Sequence, residues 1–551
     1  MTAADMTVGD VVGEVLADLG VGHAFGVVGS GNFVMTNALR RGGVPFTAAR
    51  HEGGAAMMAD GFSRMSGRVG LLSVHQGCGL TNAMTGIAEA AKSRTPMIVL
   101  TADSPAAALR SNFRVDQDAM VRAVGAISDR VYSASTVVAD VTRAYRTAVT
   151  QRRTVVLNVA IDVAAGPATH SGPVSADTTS SAVRPDPELL AKLVAALNKA
   201  QRPVFVAGRG GRGAGREIAR LAATSGALLA TSAVANGLFE GEEFSLGISG
   251  GFASPTSADL IAGADLIVGW GCALNMWTMR HGRLIGPDTI VVQIDDDVDA
   301  LGAHRPIHLG VLGDCAATAR DALAGLAETR QGYRTSEVAA RIAENSRWQD
   351  VPVDDSSTAD RIDPRALSIA LDEMLPAERV VSIDSGNFMG YPATHLAVPD
   401  ENGFCFTQAF QSIGLGLGTA IGAGLAQPGR LPVLGTGDGG FLMAIADLDT
   451  AVRIGLPLVV IVYNDSAYGA EVHHFEGADM ATVTFPDTDI AAIARGFGAT
   501  GVTVRTADDL DKVRDALGEI ISSGAPRPLV IDAKITSDGG SWWLAEAFAG
   551  H

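Results

Sequence analysis

Two hydrophobic rhythms alternate along this chain. Short continuous apolar runs, rich in Val, Ile and Leu, are separated by longer stretches whose apolar residues recur every three or four positions. The first pattern fits strands buried on both faces, and the second fits helices with one apolar side. Val8–Leu19 predicts an amphipathic helix, Ala24–Val28 a strand, Glu52–Met65 a helix, Gly70–Val74 a strand, Leu80–Ala91 a helix and Met97–Thr101 a strand. Such alternation predicts a parallel sheet covered by helices.

The rhythm comes in three blocks. Residues 1–165 make the first. Residues 166–185, rich in Ser, Thr, Ala and Pro, read as a linker. Residues 186–330 form the second block, with strands at Val204–Ala207, Leu266–Gly269 and Thr289–Ile294, and a polar stretch around 329–363 reads as a second connection. Residues 364–551 repeat the pattern with strands at Val380–Ile383, Pro432–Gly435, Leu458–Tyr463 and Pro528–Ile531, and a helix at Gly414–Ala426. The fold class expected is α/β, three doubly wound domains with parallel sheets. The first and third blocks match in size and rhythm, as a duplication would leave them.

Composition agrees: 551 residues, 47% hydrophobic and 19% charged, suffice for about three domains with large cores. A net charge of −18 argues against nucleic acid or an anionic membrane surface as partner. The four cysteines form no CxxC, so neither a disulfide framework nor a zinc site is expected. No basic segment leads into an apolar core at the N-terminus, and no apolar run reaches membrane-spanning length. A cytoplasmic protein is expected.

Candidate chemistry centres on Gly437-Asp438-Gly439-Gly440 and, after an intervening helix-like stretch and the apolar run Leu458–Tyr463, Asn464-Asp465. Oxygen ligands at the ends of two neighbouring strands suit one hard cation such as Mg²⁺, which binds through one or two carboxylates plus phosphate oxygens. The glycines leave backbone N–H groups open to a diphosphate.

This pair resembles the diphosphate–Mg²⁺ motif of thiamine diphosphate (ThDP) enzymes, with Asp465 where the family usually has Asn. Arg50-His51-Glu52-Gly53-Gly54-Ala55-Ala56 is similar to a segment of the acetolactate synthase, pyruvate decarboxylase and benzoylformate decarboxylase family. The resemblance implies that Glu52 bonds the cofactor's aminopyrimidine N1′ and promotes the tautomer that deprotonates thiazolium C2. Asp438, Asp465 and the Ala467 carbonyl are the implied metal ligands, and Gly437, Gly439, Gly440 and Tyr468 belong to the same cofactor turn. Ser385 and Asn387 fall at the family's diphosphate contact. In Ala409–Gly416, Ile413 matches the apolar wedge that bends the cofactor, and Gln411, replacing a family Gly, would accept from the 4′-amino group.

Phe25–Phe33 resembles the family's Phe-Gly-x-x-Gly turn, in which several decarboxylases have a polar residue after the last Gly; the resemblance implies that Ser30 there contacts a substrate carboxylate. His75, followed by Asn82-Ala83-Met84, resembles benzoylformate decarboxylase and implies a proton relay. Glu471 falls at the active-site Glu of pyruvate decarboxylases, and Ala470, small where they have a branched residue, implies room for a larger acyl group or acceptor. A turn serine, a loop histidine and an exposed helix glutamate are the plain structural readings of these three.

The glycine turn Gly208–Gly213 superficially matches GxGxxG, but no acid follows at the spacing NAD recognition needs. The FAD segment of acetolactate synthases is not matched by Gly271–Trp277, so the resemblance gives FAD no support; Trp277 or His281 could border a substrate funnel instead. Gly539–Phe548 reads as a hinge and aromatic helix, either a lid or a tail docked on a neighbouring subunit. The resemblance implies a homodimer or homotetramer with each ThDP between two subunits. It implies decarboxylation of a 2-oxo acid, with release of an aldehyde or carboligation to an aldehyde or ketone acceptor. The alternatives are a ThDP-dependent C–C lyase or acyl-CoA-type carboligase without that decarboxylation, and a noncatalytic ThDP-binding paralogue.

Overall fold

Three parallel sheets of six strands organise the chain in the computed structural model, which describes residues 6–178, 181–522, 524, 526–537 and 543. The first sheet holds β1 (His23–Gly26), β2 (Phe46–Ala48), β3 (Gly70–Val74), β4 (Met97–Asp103), β5 (Ile127–Val131) and β6 (Thr154–Ala160). The second holds β7 (Pro203–Ala207), β8 (Leu228–Thr231), β9 (Ser245–Ile248), β10 (Leu266–Trp270), β11 (Ile290–Asp295) and β12 (Leu309–Leu312). The third holds β13 (Arg379–Ile383), β14 (Phe404–Phe406), β15 (Leu431–Gly437), β16 (Val459–Asn464), β17 (Thr500–Val504) and β18 (Leu529–Lys534). The strand orders are β2-β1-β3-β4-β6-β5 and β14-β13-β15-β16-β18-β17 in the outer domains. Counted from each domain's first strand, these are one order, in keeping with a duplication. The central sheet runs β12-β11-β10-β7-β8-β9, the dinucleotide-fold order, with its switch point between β7 and β10.

Central strands such as β3 and β16 are buried along their whole length, which is why they read as continuous apolar runs. The three-residue edge strands β2 and β14 are too short to leave such a pattern. The stretch expected as a plain connection at 329–363 contains the helix Ser336–Asn345, N-capped by Thr335. Its Val338 and Ile342, one turn apart, are buried in the central domain. The start of the expected linker at 166–185 is likewise tied down: Ala168 N–H donates to the Met6 carbonyl at 2.9 Å, and Val174 and Ala176 pack on the first core.

The outer domains share one core. The helix Glu52–Ser66 lies against the helix Gly416–Ala426, and glycines set their separation. A Cβ at Gly422 would stand 2.1 Å from the Met58 carbonyl oxygen, and one at Gly61 would stand 2.6 Å from that of Thr419. Backbones this close require hydrogen at those positions. One hydrophobic cluster therefore runs from Ala55 and Leu80 to Leu417, Leu434 and Val460.

Most of the expected lid segment Gly539–Phe548 lies outside the described residues. Its Trp543 docks on its own chain, with the indole N–H donating to the Asn387 carbonyl at 3.0 Å and the ring edge-on to Tyr391 and Phe252. Among the described residues, no helix is long and apolar enough to cross a membrane.

Candidate active site

The expected residues gather in two groups, each at the carboxyl ends of an outer sheet's strands. The first is built around His75, which follows β3. Gly77, with φ +64, caps the helix Cys78–Lys92, and this turn exposes the imidazole, which is half-buried. His75 Nδ1 is 2.9 Å from the Gln76 carbonyl, its Nε2 is 3.5 Å from Ser30 Oγ, and Phe113 packs edge-on against the ring at 4.9 Å. Glu52 opens the helix Glu52–Ser66 behind the N-cap His51 and accepts from Asn82 Nδ2 at 3.1 Å. Gly79 bridges the pair: a Cβ there would lie 3.2 Å from His75 Cβ and 3.6 Å from Glu52 Oε1. Ser30, His75 and Glu52 thus share one surface, to which the structure adds Asn82 and Phe113. Asn82 stood in the motif around His75, whereas nothing local marks Phe113.

The second group lies where β15 and β16 end. Asp438 is buried at the start of the helix Asp438–Ala444, and its carboxylate accepts from its own N–H and that of Gly439. Asp465 follows β16, and its Oδ1 accepts from Ala467 N–H at 3.1 Å. Burial and, for Asp465, repulsion from Asp438 raise both carboxyls well above the ordinary range. Asn464 faces inward: its side chain donates to Asp532 at 2.8 Å and accepts from Ser466 N–H at 3.1 Å. This holds Ser466 at φ +61, the bend that turns Asp465 and Ala467 together. Ala467 bridges Thr484, and Tyr468 N–H donates to the Val483 carbonyl at 2.8 Å, joining the turn to the exposed segment beyond it.

Tyr468 covers Gly439, where a Cβ would meet its ring at 2.6 Å. Asn387 packs on Gly469 beside Asp465, and Ser385 Oγ donates to Gln408 at 3.1 Å. Ile413 is half-buried, outside the apolar cores, and Gln411 is exposed with φ +61. The glycine conformation thus persists at Gln411 although the glycine does not. Glu471 is exposed on the short helix Gly469–His474.

The donor set and glycine cradle fit ThDP with a divalent cation. Among the described residues, no trio of His, Cys, Asp and Glu side chains clusters for a metal. A cation here would take Asp438, Asp465, the Ala467 carbonyl and oxygens from its ligand, the donor set that suits Mg²⁺. Within one chain no hydrogen bond joins Ser30, Glu52 or His75 to Asp438, Asp465 or Glu471 among the described residues.

A cavity of about 710 Å³ opens at the switch point of the central sheet, lined by Gly208, Arg209, Trp277 and Asp295 and reaching Gln411 of the third domain. Trp277 borders this space, and His281 is not among its lining residues.

The sequence matches three family models in order: the N-terminal TPP binding domain of thiamine pyrophosphate enzymes over residues 6–122, the central domain over 190–322 and the C-terminal TPP binding domain over 384–533. The chain belongs to the thiamine pyrophosphate enzyme family. It is 29% identical to sulfoacetaldehyde acetyltransferase of Rhodobacter capsulatus, over 98% of this chain and 96% of that one. It is 27% identical to an acetolactate synthase of Bacillus subtilis, over 96% and 92%. A protein of Pseudomonas aeruginosa named "Probable 2-ketoarginine decarboxylase AruI" is 28% identical over 92% and 90%.

Proposed function

We propose that this chain is a ThDP- and Mg²⁺-dependent enzyme that decarboxylates a 2-oxo acid and releases an aldehyde or passes the acyl unit to a second carbonyl compound. The observation that carries this reading is the convergence of Ser30, His75 and Glu52 on one surface. When bound, ThDP supplies the carbon nucleophile and the electron sink for loss of CO₂. Glu52 would share a proton with the aminopyrimidine. Ser30 would orient the substrate carboxylate, and His75 would move protons at the substrate oxygen and carbon. Asp438, Asp465 and Ala467 would hold Mg²⁺ on the diphosphate, with Gly437, Gly439, Gly440, Ser385, Asn387 and Tyr468 around it. Glu471 would supply a second acid from the diphosphate half.

The two halves belong to different copies in this reading, so the smallest active unit is a homodimer. Exposed apolar side chains beside each half support it: Phe33 and Val34 near Ser30, Met443 on the Asp438 helix and Phe475 at the end of the Glu471 helix. The reaction proposed needs no flavin. An absorbance spectrum of the purified protein without a flavin band is the outcome expected.

A second reading, acyl transfer without 2-oxo acid decarboxylation, is favoured by the similarity to sulfoacetaldehyde acetyltransferase. The deciding experiment measures CO₂ release from a panel of 2-oxo acids, pyruvate to aryl, with ThDP and Mg²⁺, with and without an acceptor aldehyde. Release that stops with EDTA supports the first reading. Bound ThDP with no release from any substrate supports the second.

A further inference from the structure

The segment that carries Gln411 and Ile413 is held at both ends by buried carboxylates, and one of them comes from another domain. At its far end, Asp384 of the third domain accepts from Gly414 N–H at 3.0 Å and Leu415 N–H at 3.2 Å. At its near end, Glu89, on the first domain's helix Cys78–Lys92, accepts from Phe410 N–H at 2.6 Å and Ala409 N–H at 3.2 Å. Both carboxylates are fully buried. Between these clamps lies left-handed Gln411, at φ +61, and the clamped Gly414 is left-handed too, at φ +84.

Glu89 is itself fixed. Arg64 donates to its Oε1 at 2.9 Å and Ser93 at 3.0 Å, and Arg64 also pairs with Asp60 at 2.7 Å and donates to the Phe406 carbonyl at 3.0 Å. Burial alone would raise the Glu89 carboxyl; the Arg64 charge and these hydrogen bonds outweigh it and keep it ionised. Lys92, on the same helix, sits 5.6 Å over the Phe410 ring. A charged acceptor is buried here, directed at two backbone donors of a loop whose Ala409 and Phe410 side chains are exposed. A loop at the surface has water to satisfy those donors, so burying a charge for them buys geometry rather than hydrogen bonding.

We propose that Glu89 is a positioning residue for the cofactor, setting the place of the Gln411 carbonyl and the Ile413 side chain from the first domain of the same chain. This rests on the reading that Gln411 and Ile413 contact ThDP. Because the first turn of the Glu89 helix packs on His75 and Glu52, one helix places catalytic groups at one end and holds a cofactor-contact loop at the other.

The test uses the whole enzyme carrying Glu89→Gln, Glu89→Asp or Ile413→Ala. Backbone hydrogen exchange is followed at residues 409–411 with and without ThDP and Mg²⁺, and ThDP affinity is measured by titration calorimetry. Glu89→Gln leaves Arg64 balanced by Asp60, and its single oxygen can serve Arg64 and Ser93 only by turning its NH₂ towards Phe410 N–H. Glu89→Asp keeps the charge but withdraws both oxygens by one methylene. Expected for both are exchange at 409–411 faster by about tenfold or more and ThDP affinity weaker by about tenfold, the scale of one charge-assisted hydrogen bond. Unchanged exchange in both variants overturns the clamp. Faster exchange with unchanged ThDP affinity overturns the positioning role; Ile413→Ala then separates the causes. If Ile413→Ala weakens ThDP binding, the cofactor reading stands and the Glu89 inference alone fails. If it does not, the cofactor contact itself is wrong.

Discussion

Asp384 offers the sharpest physical test of how this site is built. Its carboxylate accepts from Ser385, Gly414 and Leu415 N–H groups and from the Thr436 hydroxyl, between 2.8 and 3.2 Å. Burial nevertheless wins, and the carboxyl is pushed up from 3.8 to about 6. The sign follows directly. Between about pH 4 and pH 6 the native state holds this proton and the unfolded state has released it, so stability falls as pH rises through that window. Below it both states are protonated, and above it both are ionised. A shift from 3.8 to about 6 is worth roughly 3 kcal/mol in all. Asp384→Asn removes the titration while keeping the shape. Wild-type apoenzyme should therefore lose melting temperature relative to the variant, by roughly 6–12 °C between pH 4 and 7, if the third domain unfolds as a unit. Differential scanning calorimetry of both proteins at matched ionic strength measures this, and comparing the variant with wild type cancels the contribution of Asp438, Asp447 and Asp465. Parallel curves would refute the argument, because they would mean that hydrogen bonding, rather than burial, sets this carboxyl.

Three further outcomes are expected. Glu52→Gln should bind ThDP within a fewfold of wild type yet lose about 100-fold or more in kcat, as loss of a general acid–base group does; comparable turnover would remove Glu52 from the chemistry. His75→Ala should lose about 100-fold in kcat, whereas Ser30→Ala should act mainly on KM, since its 3.5 Å contact to His75 is weak; steady-state kinetics on the substrate found by CO₂ release separates them. Gly422→Val should give little soluble protein, because even its Cβ would lie 2.1 Å from the Met58 carbonyl oxygen; normal yield and melting temperature would contradict the glycine-set packing of the two helices.

The α/β class and the three blocks could be read from local sequence, and so could the candidate residues at the strand ends. Doubly buried strands such as β16 write continuous apolar runs, and the candidate turn, Gly437 to Gly440 and then Asp465, uses distinctive residues at local spacing. Glu52, His75 and Ser30 were legible for the same reason, each sitting in a short motif at the end of a strand or the start of a helix. The helix Ser336–Asn345 had a local signal too, the Thr335 cap and the Val338–Ile342 spacing, within a polar stretch that masked it. The remaining features arise between distant segments, in the folded chain. That Gln411 keeps a glycine's φ, that Phe113 packs on His75 and that Glu89 takes Phe410 N–H across 321 positions leave no trace in local pattern. A glutamate inside an alanine-rich helix looks the same in sequence whether it faces solvent, an arginine or another domain's backbone. Its partner is set by how two glycine-faced helices bring the outer domains together, and that distance exists only once the chain is folded.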